Sequence, residues 1–163
     1  MQSVDGPGLD ALERRFQEAL RLWPSMKKEC LARMGQAALG EVRKEIARSG
    51  MSNGGGRVQG WQRVYLGSKG GYTAVRAIGE DQGGGTGPNS AGAITNYTEN
   101  GHRIRRPAAV QKNGYRYRPR IKVAAVRGFH YYHQAETRAV EAALAAGREL
   151  AQQAADMIGG ESA

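Results

Sequence analysis

The chain has 163 residues, of which 40% are apolar and 7% aromatic, and its formal net charge is +9. Because domains cluster near about 150 residues, we expect residues 1 to 163 to form a single domain with one core, built mainly from Ala, Val, Leu, Ile and Met. The single cysteine excludes an internal disulfide and a cysteine-based zinc site, and no run approaches the roughly 20 apolar residues of a membrane-spanning helix, so we expect no membrane segment.

The positive charge is concentrated in one segment. Of the 24 Lys and Arg residues, nine lie between Gly101 and Arg127, where no residue is acidic. The other 15 equal the 15 Asp and Glu residues in number. The charge excess is therefore a local feature, which indicates a contact surface for nucleic acid or for an acidic protein.

Residues 8 to 49 have the periodicity of amphipathic helices. A first helix is predicted over residues 8 to 22 by Leu9, Leu12, Phe16 and Leu20. Pro24 should end or kink it. A second helix, to about Ser49, is predicted by apolar residues in steps of four: Met26, Cys30, Met34, Ala38, Val42 and Ile46. Since Cys30 lies on this apolar face, we interpret it as a buried hydrophobic residue.

Two glycine-rich stretches, residues 50 to 60 and 79 to 92, are expected to be flexible loops. Between them, the β-like runs "WQRVYLG" and "YTAVRAIG" are joined by "SKGG", which predicts a β-hairpin. The second glycine-rich stretch lacks the GxxxxGK[ST] pattern of a phosphate-binding loop. We therefore interpret it as a long connection, or as an arm that becomes ordered on contact with a partner.

The sheet is predicted within residues 61 to 126, with "AITNYTE" as its third strand. Alternation returns on both sides of Asn113-Gly114, a favourable two-residue turn, so residues 103 to 127 are predicted to form a protruding basic β-hairpin. The last helical pattern covers residues 129 to 158. This order predicts an α+β fold, with a small antiparallel sheet and the N-terminal helices and long C-terminal helix packed on one face.

The catalytic and metal-binding signals are weak. The best metal set would combine Glu99 and His102 with His130 and His133, but the HExxH signature is absent. No serine lies in a GxSxG turn, and Cys30 falls in the predicted core. We therefore predict no catalytic residue, no metal, no cofactor and no enzymatic activity.

The basic segment has two interpretations. Its arginines alternate with Tyr115 and Tyr117, which could neutralise phosphates and stack on bases, as in proteins that bind single strands. Arginine and tyrosine are equally suited to docking on acidic partner subunits. The candidates for contact with DNA or with a partner are Arg105, Arg106, Lys112, Arg116, Arg118, Arg120 and Lys122.

Taken together, the motifs and their order resemble a known family. Trp61 follows a glycine-rich loop, a hairpin comes next, and "ITNYTENGHR" precedes "VRGFHYYHQAE" and a long alanine-rich helix. Over residues 8 to 158 this order resembles the tail-completion, or head-tail joining, proteins of long-tailed bacteriophages, which are neck or minor tail proteins. The matching positions are Asn96, Tyr97, Glu99, Gly101, His102, Arg103, Gly128 and Phe129. The chain departs from the family pattern in a longer, more basic segment before Gly128 and in a longer helical N-terminus.

The resemblance implies a non-enzymatic structural protein of the virion neck. It would be a subunit of a homo-oligomeric ring, a hexamer, assembled in the host cytoplasm between the portal and adaptor proteins and the tail terminator or tail tube. A sister role as terminator or adaptor, and a small basic nucleic-acid-binding protein, are the alternatives. A basic hairpin lining the channel would contact passing DNA without reading its sequence.

The resemblance also implies a set of assembly contacts: Glu99, Gly101, His102, Arg103 and Phe129. Tyr131 and Tyr132 join this set because we interpret the cluster His130-Tyr131-Tyr132-His133, at the start of the last helix, as interfacial. Within this set Gly101 should permit a sharp turn, because glycine tolerates backbone conformations that other residues avoid. Glu99 is expected to pair with His102 or Arg103, either locally or across a subunit boundary.

Overall fold

The computed structural model describes residues 6–103 and 125–159. The elements are α1 (Gly6–Arg48), α2 (Gly56–Trp61), β1 (Gln62–Leu66), β2 (Thr73–Ala77), α3 (Ala91–Asn100), β3 (Gly101–Arg103), β4 (Ala125–Arg127) and α4 (Tyr131–Gly159). Helices and antiparallel strand pairs occur together, which confirms the predicted α+β class. In the parts of the chain that the structure describes, no helix has the length and apolar character needed to cross a bilayer.

The two long helices, α1 and α4, pack side by side in antiparallel orientation. The Arg138 guanidinium of α4 forms an ion pair with the buried Glu45 carboxylate of α1. Further along the pair, Gly147 lies against Met34, and the Cys30 sulfur lies 3.9 Å from the Gly147 carbonyl oxygen. The predicted C-terminal helix is confirmed, and Cys30 lies half-buried where the two helices meet.

A single helix, α1, replaces the two helices predicted on either side of Pro24. A proline inside a helix lacks the amide that would bond the carbonyl four residues earlier, at a cost of about 3 kcal/mol. This cost is confined to one turn, and the turns on both sides keep their own hydrogen bonds. At the same turn the Ser25 hydroxyl donates to the Leu22 carbonyl at 2.7 Å.

Residues 50 to 60 contain packed structure where a flexible loop was predicted. A 3₁₀ turn over Ser52–Gly55 leads directly into α2, and Val58 of α2 is buried. Gly55 has φ of 63°, and a Cβ at this position would lie 2.8 Å from both Ile46 and Met51. Here glycine serves a left-handed turn in close contact with α1, a packing role that its abundance in the sequence did not indicate.

The β1–β2 hairpin is confirmed, with Val64 of β1 opposite Val75 of β2. It packs on α1 at Gly35, where a Cβ would overlap the side chains of Val64 and Thr73. The absence of a side chain at Gly35 therefore lets the helix and the hairpin approach closely.

The core lies between α1, α2 and the start of α4. Its buried cluster consists of Val42, Ile46, Val58, Tyr131 and Ala135. The partly buried side chains packed against this cluster are Met51, Trp61, Val75, Ile94, Phe129 and Tyr132. Because this cluster joins α1 and α2 to α4, hydrophobic burial holds helices that are distant in sequence in one unit.

The predicted third strand, "AITNYTE", is wrong, because this segment forms α3. The Ser90 hydroxyl accepts a hydrogen bond from the Ala93 amide at 3.1 Å and so caps the helix. Its buried residues, Ala91, Thr95 and Glu99, recur every fourth position, which is helical spacing. The β-branched residues of this segment favoured a strand only locally. The described strands consequently form two separate two-stranded sheets.

Residues 79 to 92 form a connection closed by its own hydrogen bonds, where a flexible loop was expected. It contains 3₁₀ turns at Glu80–Gln82 and Gly87–Asn89. The Gly84 amide donates to the Gly79 carbonyl at 2.8 Å, and the Ala91 amide donates to the Gly84 carbonyl at 2.7 Å. These hydrogen bonds join residues of the same connection.

The basic segment begins and ends in a strand pair. β3 and β4 are antiparallel, with Gly101 opposite Arg127 and Arg103 opposite Ala125. This pairing is what the base of the predicted hairpin over residues 103 to 127 requires. The prediction for residues 104 to 124 lies outside the described residues.

Candidate assembly site where α3, β3, β4 and α4 meet

The residues of the family-like motif converge where α3 ends and α4 begins. Gly101 ends α3 with φ of 74°, a left-handed value that favours glycine. A Cβ at Gly101 would overlap the Val126 carbonyl oxygen, and one at Gly128 would overlap the Glu99 carbonyl oxygen. The sharp turn expected at Gly101 is present, and the two glycines allow the chain to cross itself at close range.

Glu99 is buried and anchors the start of α4. Its carboxylate accepts hydrogen bonds from the backbone amides of Tyr132, at 3.0 Å, and His133, at 3.4 Å. The His130 amide donates to the Glu99 carbonyl at 3.0 Å. A carboxylate here satisfies amides that have no partner within the helix and is attracted by the positive end of the helix dipole.

The expected local pairing of Glu99 with His102 or Arg103 is therefore wrong. The described contacts of the Glu99 carboxylate are backbone amides of α4. A role in joining α3 to α4 replaces the expected local ion pair, and pairing across a subunit boundary stays a prediction.

Tyr131 is a core residue, contrary to its prediction as an assembly contact. Its side chain is completely buried, and its hydroxyl donates to the Thr95 carbonyl at 2.9 Å and lies 3.2 Å from the Thr98 hydroxyl. Burial, opposed by the hydrogen bond to Thr98, raises the pKa of the Tyr131 hydroxyl to about 12. Tyr131 therefore stays neutral at physiological pH and ties α4 to α3.

Tyr132 is half-buried, and its hydroxyl bonds the side-chain oxygen of Gln62. Burial, aided by the neighbouring Tyr131 and by Glu99, raises the pKa of Tyr132 well above its usual value. Gln62 is itself fully buried, and its amide nitrogen donates to the Val58 carbonyl at 2.9 Å. The sequence analysis did not predict that Gln62 is buried. Its burial could not be recognised from the sequence, because its partner Tyr132 lies far along the chain.

The remaining candidates differ in exposure. Phe129 is partly buried and packs against the core cluster, so it is chiefly structural. His102 and Arg103 are exposed on β3. The His102 ring lies 5.2 Å from the ring of Tyr97, which is itself 38% exposed. Of the predicted assembly contacts, His102 and Arg103 are therefore the exposed ones, and Tyr97 of α3, which was not predicted as a contact, lies beside His102.

Two adjoining hollows lie beside this junction and share Val75 and Tyr132. The first, of about 390 Å³, lies between β2 and α3, and the second, of about 380 Å³, lies between β2, α1 and α4. Glu99 lines the first hollow, but its carboxylate is already bound by the backbone of α4.

The histidines of the metal candidate do not form a metal site with Glu99. Within residues 6–103 and 125–159, no three His, Cys, Asp or Glu side chains are grouped closely enough to hold a metal ion. His130 precedes α4 with φ of 55°, and His133 lies 3.6 Å from Glu136 on the exposed side of α4.

The DNA or partner candidates of the basic segment fall in residues 104 to 124, outside the described residues. These are Arg105, Arg106, Lys112, Arg116, Arg118, Arg120 and Lys122. Arg103 and Arg127 mark the described ends of this segment, on the paired strands β3 and β4.

Comparison with known proteins supplies no relative for this chain: no family model, no curated protein and no solved structure matches it.

Proposed function

We propose that the chain is a structural subunit of the neck of a tailed phage, a head-tail joining protein that connects the portal and adaptor complex to the tail. The observation that carries this proposal is the way both ends of the basic segment are held. Arg103 and Ala125 face each other across β3 and β4, which lie between α3 and α4 in the chain. All of the net charge lies between Gly101 and Arg127, while the rest of the chain is electrically balanced.

The anchoring of this segment supports a mechanical role. β3 continues directly from α3, and α4 begins shortly after β4, so both ends of the basic segment are attached to helices. Glu99 and Tyr131 then fasten α3 to α4 through hydrogen bonds. A force applied to the basic segment would therefore pass into the core, as a protein that joins two large assemblies requires.

In the proposed assembly the subunits form a homo-oligomeric ring of six in the virion neck. The neighbours are the portal and adaptor proteins on one side and the tail terminator or tail tube on the other. The basic segment contacts these neighbours or the DNA passing through the channel, and such contacts would be electrostatic and independent of sequence.

The test removes positive charge from the basic segment. In the variant Arg116→Ala/Arg118→Ala/Arg120→Ala, we expect the subunit to fold normally but to bind purified portal and adaptor complexes poorly, or to yield virions that do not pass DNA. The matched control, Lys27→Ala/Lys28→Ala/Arg33→Ala, removes the same charge from exposed positions of α1. The proposal fails if both variants join heads to tails as well as the unmodified chain does.

The alternative, a small basic nucleic-acid-binding protein, is favoured by the same concentration of charge. It predicts that the isolated monomer or dimer shifts DNA, with an affinity that falls steeply as salt is raised. If all three arginines contact phosphates, the triple variant should reduce the slope of log K against log salt by about 3. DNA binding by the isolated chain without any binding to portal complexes would support this alternative.

A further inference from the structure

The long helices α1 and α4 each carry an exposed stripe of apolar side chains that takes no part in the α3–α4 junction. The α1 stripe consists of Leu9, Leu12, Phe16, Leu20 and Trp23, and the α4 stripe of Val140, Leu144, Ala151 and Ala155. The two stripes contain seven of the eleven large apolar side chains that are exposed among the described residues. Such a concentration is typical of an interaction surface and not of scattered exposure.

The α1 stripe extends beyond the reach of α4. In the antiparallel pair, Glu45 meets Arg138 and Met34 meets Gly147, so the last described residue of α4 lies near the level of Trp23. Among the described residues, the first turns of α1 thus have no helix beside them, and Leu20 and Trp23 are 67% and 56% exposed.

The two stripes match each other in length and shape. At 1.5 Å per residue, the α1 stripe is about 21 Å long and the α4 stripe about 22 Å long. The α1 stripe presents large side chains, including Phe16 and Trp23. The α4 stripe has two branched side chains followed by alanines, which leave space for large side chains to enter.

One molecule cannot bring its own stripes together. Their centres are about 25 Å apart along α1, by the same rise per residue. Both helices are held by the ion pair between Glu45 and Arg138 and by the buried core around Ile46. A second copy of the chain can supply the matching stripe.

The charges near the α1 stripe also favour a second copy over nucleic acid. Residues 8 to 23 contain three acidic and three basic side chains, Asp10, Glu13, Glu18, Arg14, Arg15 and Arg21. A balanced surface offers no attraction to a polyanion, so apolar contact with an equally balanced protein surface is the stronger driving force.

From these observations we infer that the α1 stripe of one copy packs on the α4 stripe of the next copy, in a head-to-tail contact between identical chains. Each copy then carries one donor and one acceptor surface, and repetition closes into a ring or continues as a filament, depending on the rotation between copies. This inference names the contact that would build the neck ring of the proposed function. The ring rests on that proposed function, whereas the contact between two copies does not.

The test uses two variants, each lacking one stripe. Phe16→Asp/Leu20→Asp disables the α1 stripe, and Val140→Asp/Leu144→Asp disables the α4 stripe. These side chains are 46% to 67% exposed, so the circular dichroism of each variant should match that of the unmodified chain. Its melting should match that of the unmodified chain at a dilution where the unmodified chain is also monomeric. Light scattering should show an oligomer for the unmodified chain and a monomer for each variant alone. The self-association constant of each variant should be lower than that of the unmodified chain by a factor on the order of 30 or more.

Mixing the two variants gives the decisive measurement. A head-to-tail contact predicts a 1:1 heterodimer, because one intact α1 stripe then meets one intact α4 stripe and neither partner can continue the chain. The inference is overturned if the mixture stays monomeric, if the unmodified chain is a monomer at every concentration, or if the α4-stripe variant still dimerises alone through α1. As a control, Gln17→Asp/Arg21→Asp places charge on another face of the same turns and should leave assembly intact.

The outcome can be separated from that of the proposed function. Heterodimer formation without any binding to portal or tail complexes would support the contact and reject the neck role. Efficient head-tail joining by a chain whose two variants do not complement each other would support the neck role and reject the contact.

Discussion

Glu99 illustrates how the function of a single residue depends on its surroundings. In the sequence it lies three residues before His102, which suggested an ion pair at an assembly surface. In the structure its carboxylate is bound by the backbone amides of Tyr132 and His133, and its own carbonyl receives the amide of His130. The charge is used inside the subunit, to begin α4 at a defined place on α3.

At this scale we predict that Glu99→Ala lowers the free energy of unfolding by about 1 kcal/mol, the usual cost of removing a helix-capping acceptor. Urea unfolding followed by circular dichroism measures the change. His102→Ala is the control, because His102 is exposed and its removal should change stability by less than about 0.5 kcal/mol. Unchanged stability of Glu99→Ala, combined with lost self-association, would instead favour the subunit-boundary role.

At the scale of elements, the junction of α3, β3, β4 and α4 depends on two close backbone approaches. Gly101 turns the chain from α3 into β3, and Gly128 lies under the carbonyl of Glu99. β3 and β4 have only three residues each, so their pairing has little stability of its own and relies on these approaches.

Gly101→Ala should therefore destabilise the protein by about 1–3 kcal/mol, because it places a Cβ at positive φ and against the Val126 carbonyl. Hydrogen exchange at β3 and β4 should accelerate with it. Gly92→Ala is the matched control: it lies inside α3 with no heavy atom within 4 Å of its added Cβ, and it should stabilise by about 0.5–1 kcal/mol. Equal effects of the two substitutions would contradict the proposed geometry.

At the scale of the whole molecule, burial and exposure divide α1 into two parts. Its second half forms the core with α2 and α4, through Val42 and Ile46. Its first half, around Phe16 and Leu20, leaves apolar side chains exposed. One helix therefore serves the stability of the subunit at one end and, by our inference, contact between subunits at the other.

This division predicts that one of two substitutions on the same helix lowers stability and the other lowers self-association. Ile46→Ala removes a fully buried side chain and should lower the free energy of unfolding by about 2–5 kcal/mol. Leu20→Ala truncates a side chain that is 67% exposed and should cost less than about 0.5 kcal/mol in the monomer, while weakening self-association. Chemical unfolding of dilute protein, where association is absent, distinguishes them; a large loss for Leu20→Ala would place it in a core.

Features with a local physical cause were determined by the sequence alone. The periodicity of α4, the hairpin of β1 and β2, the α+β class and the concentration of charge between Gly101 and Arg127 all follow from neighbouring residues. Each depends on spacing along the chain, which sequence displays directly.

Only the tertiary structure decided the rest, because the deciding contacts join distant residues. Local β-branching favoured a strand at "AITNYTE", whereas Tyr131 and Glu99 bind this segment to α4 as a helix. Gly55 was assigned to a flexible loop, and only the structure shows its close contact with Ile46. Pro24 was expected to end or kink a helix, but α1 continues through it. Tyr131 was predicted on a surface because aromatic residues suit interfaces, but the choice between interface and core depends on what the fold places around it.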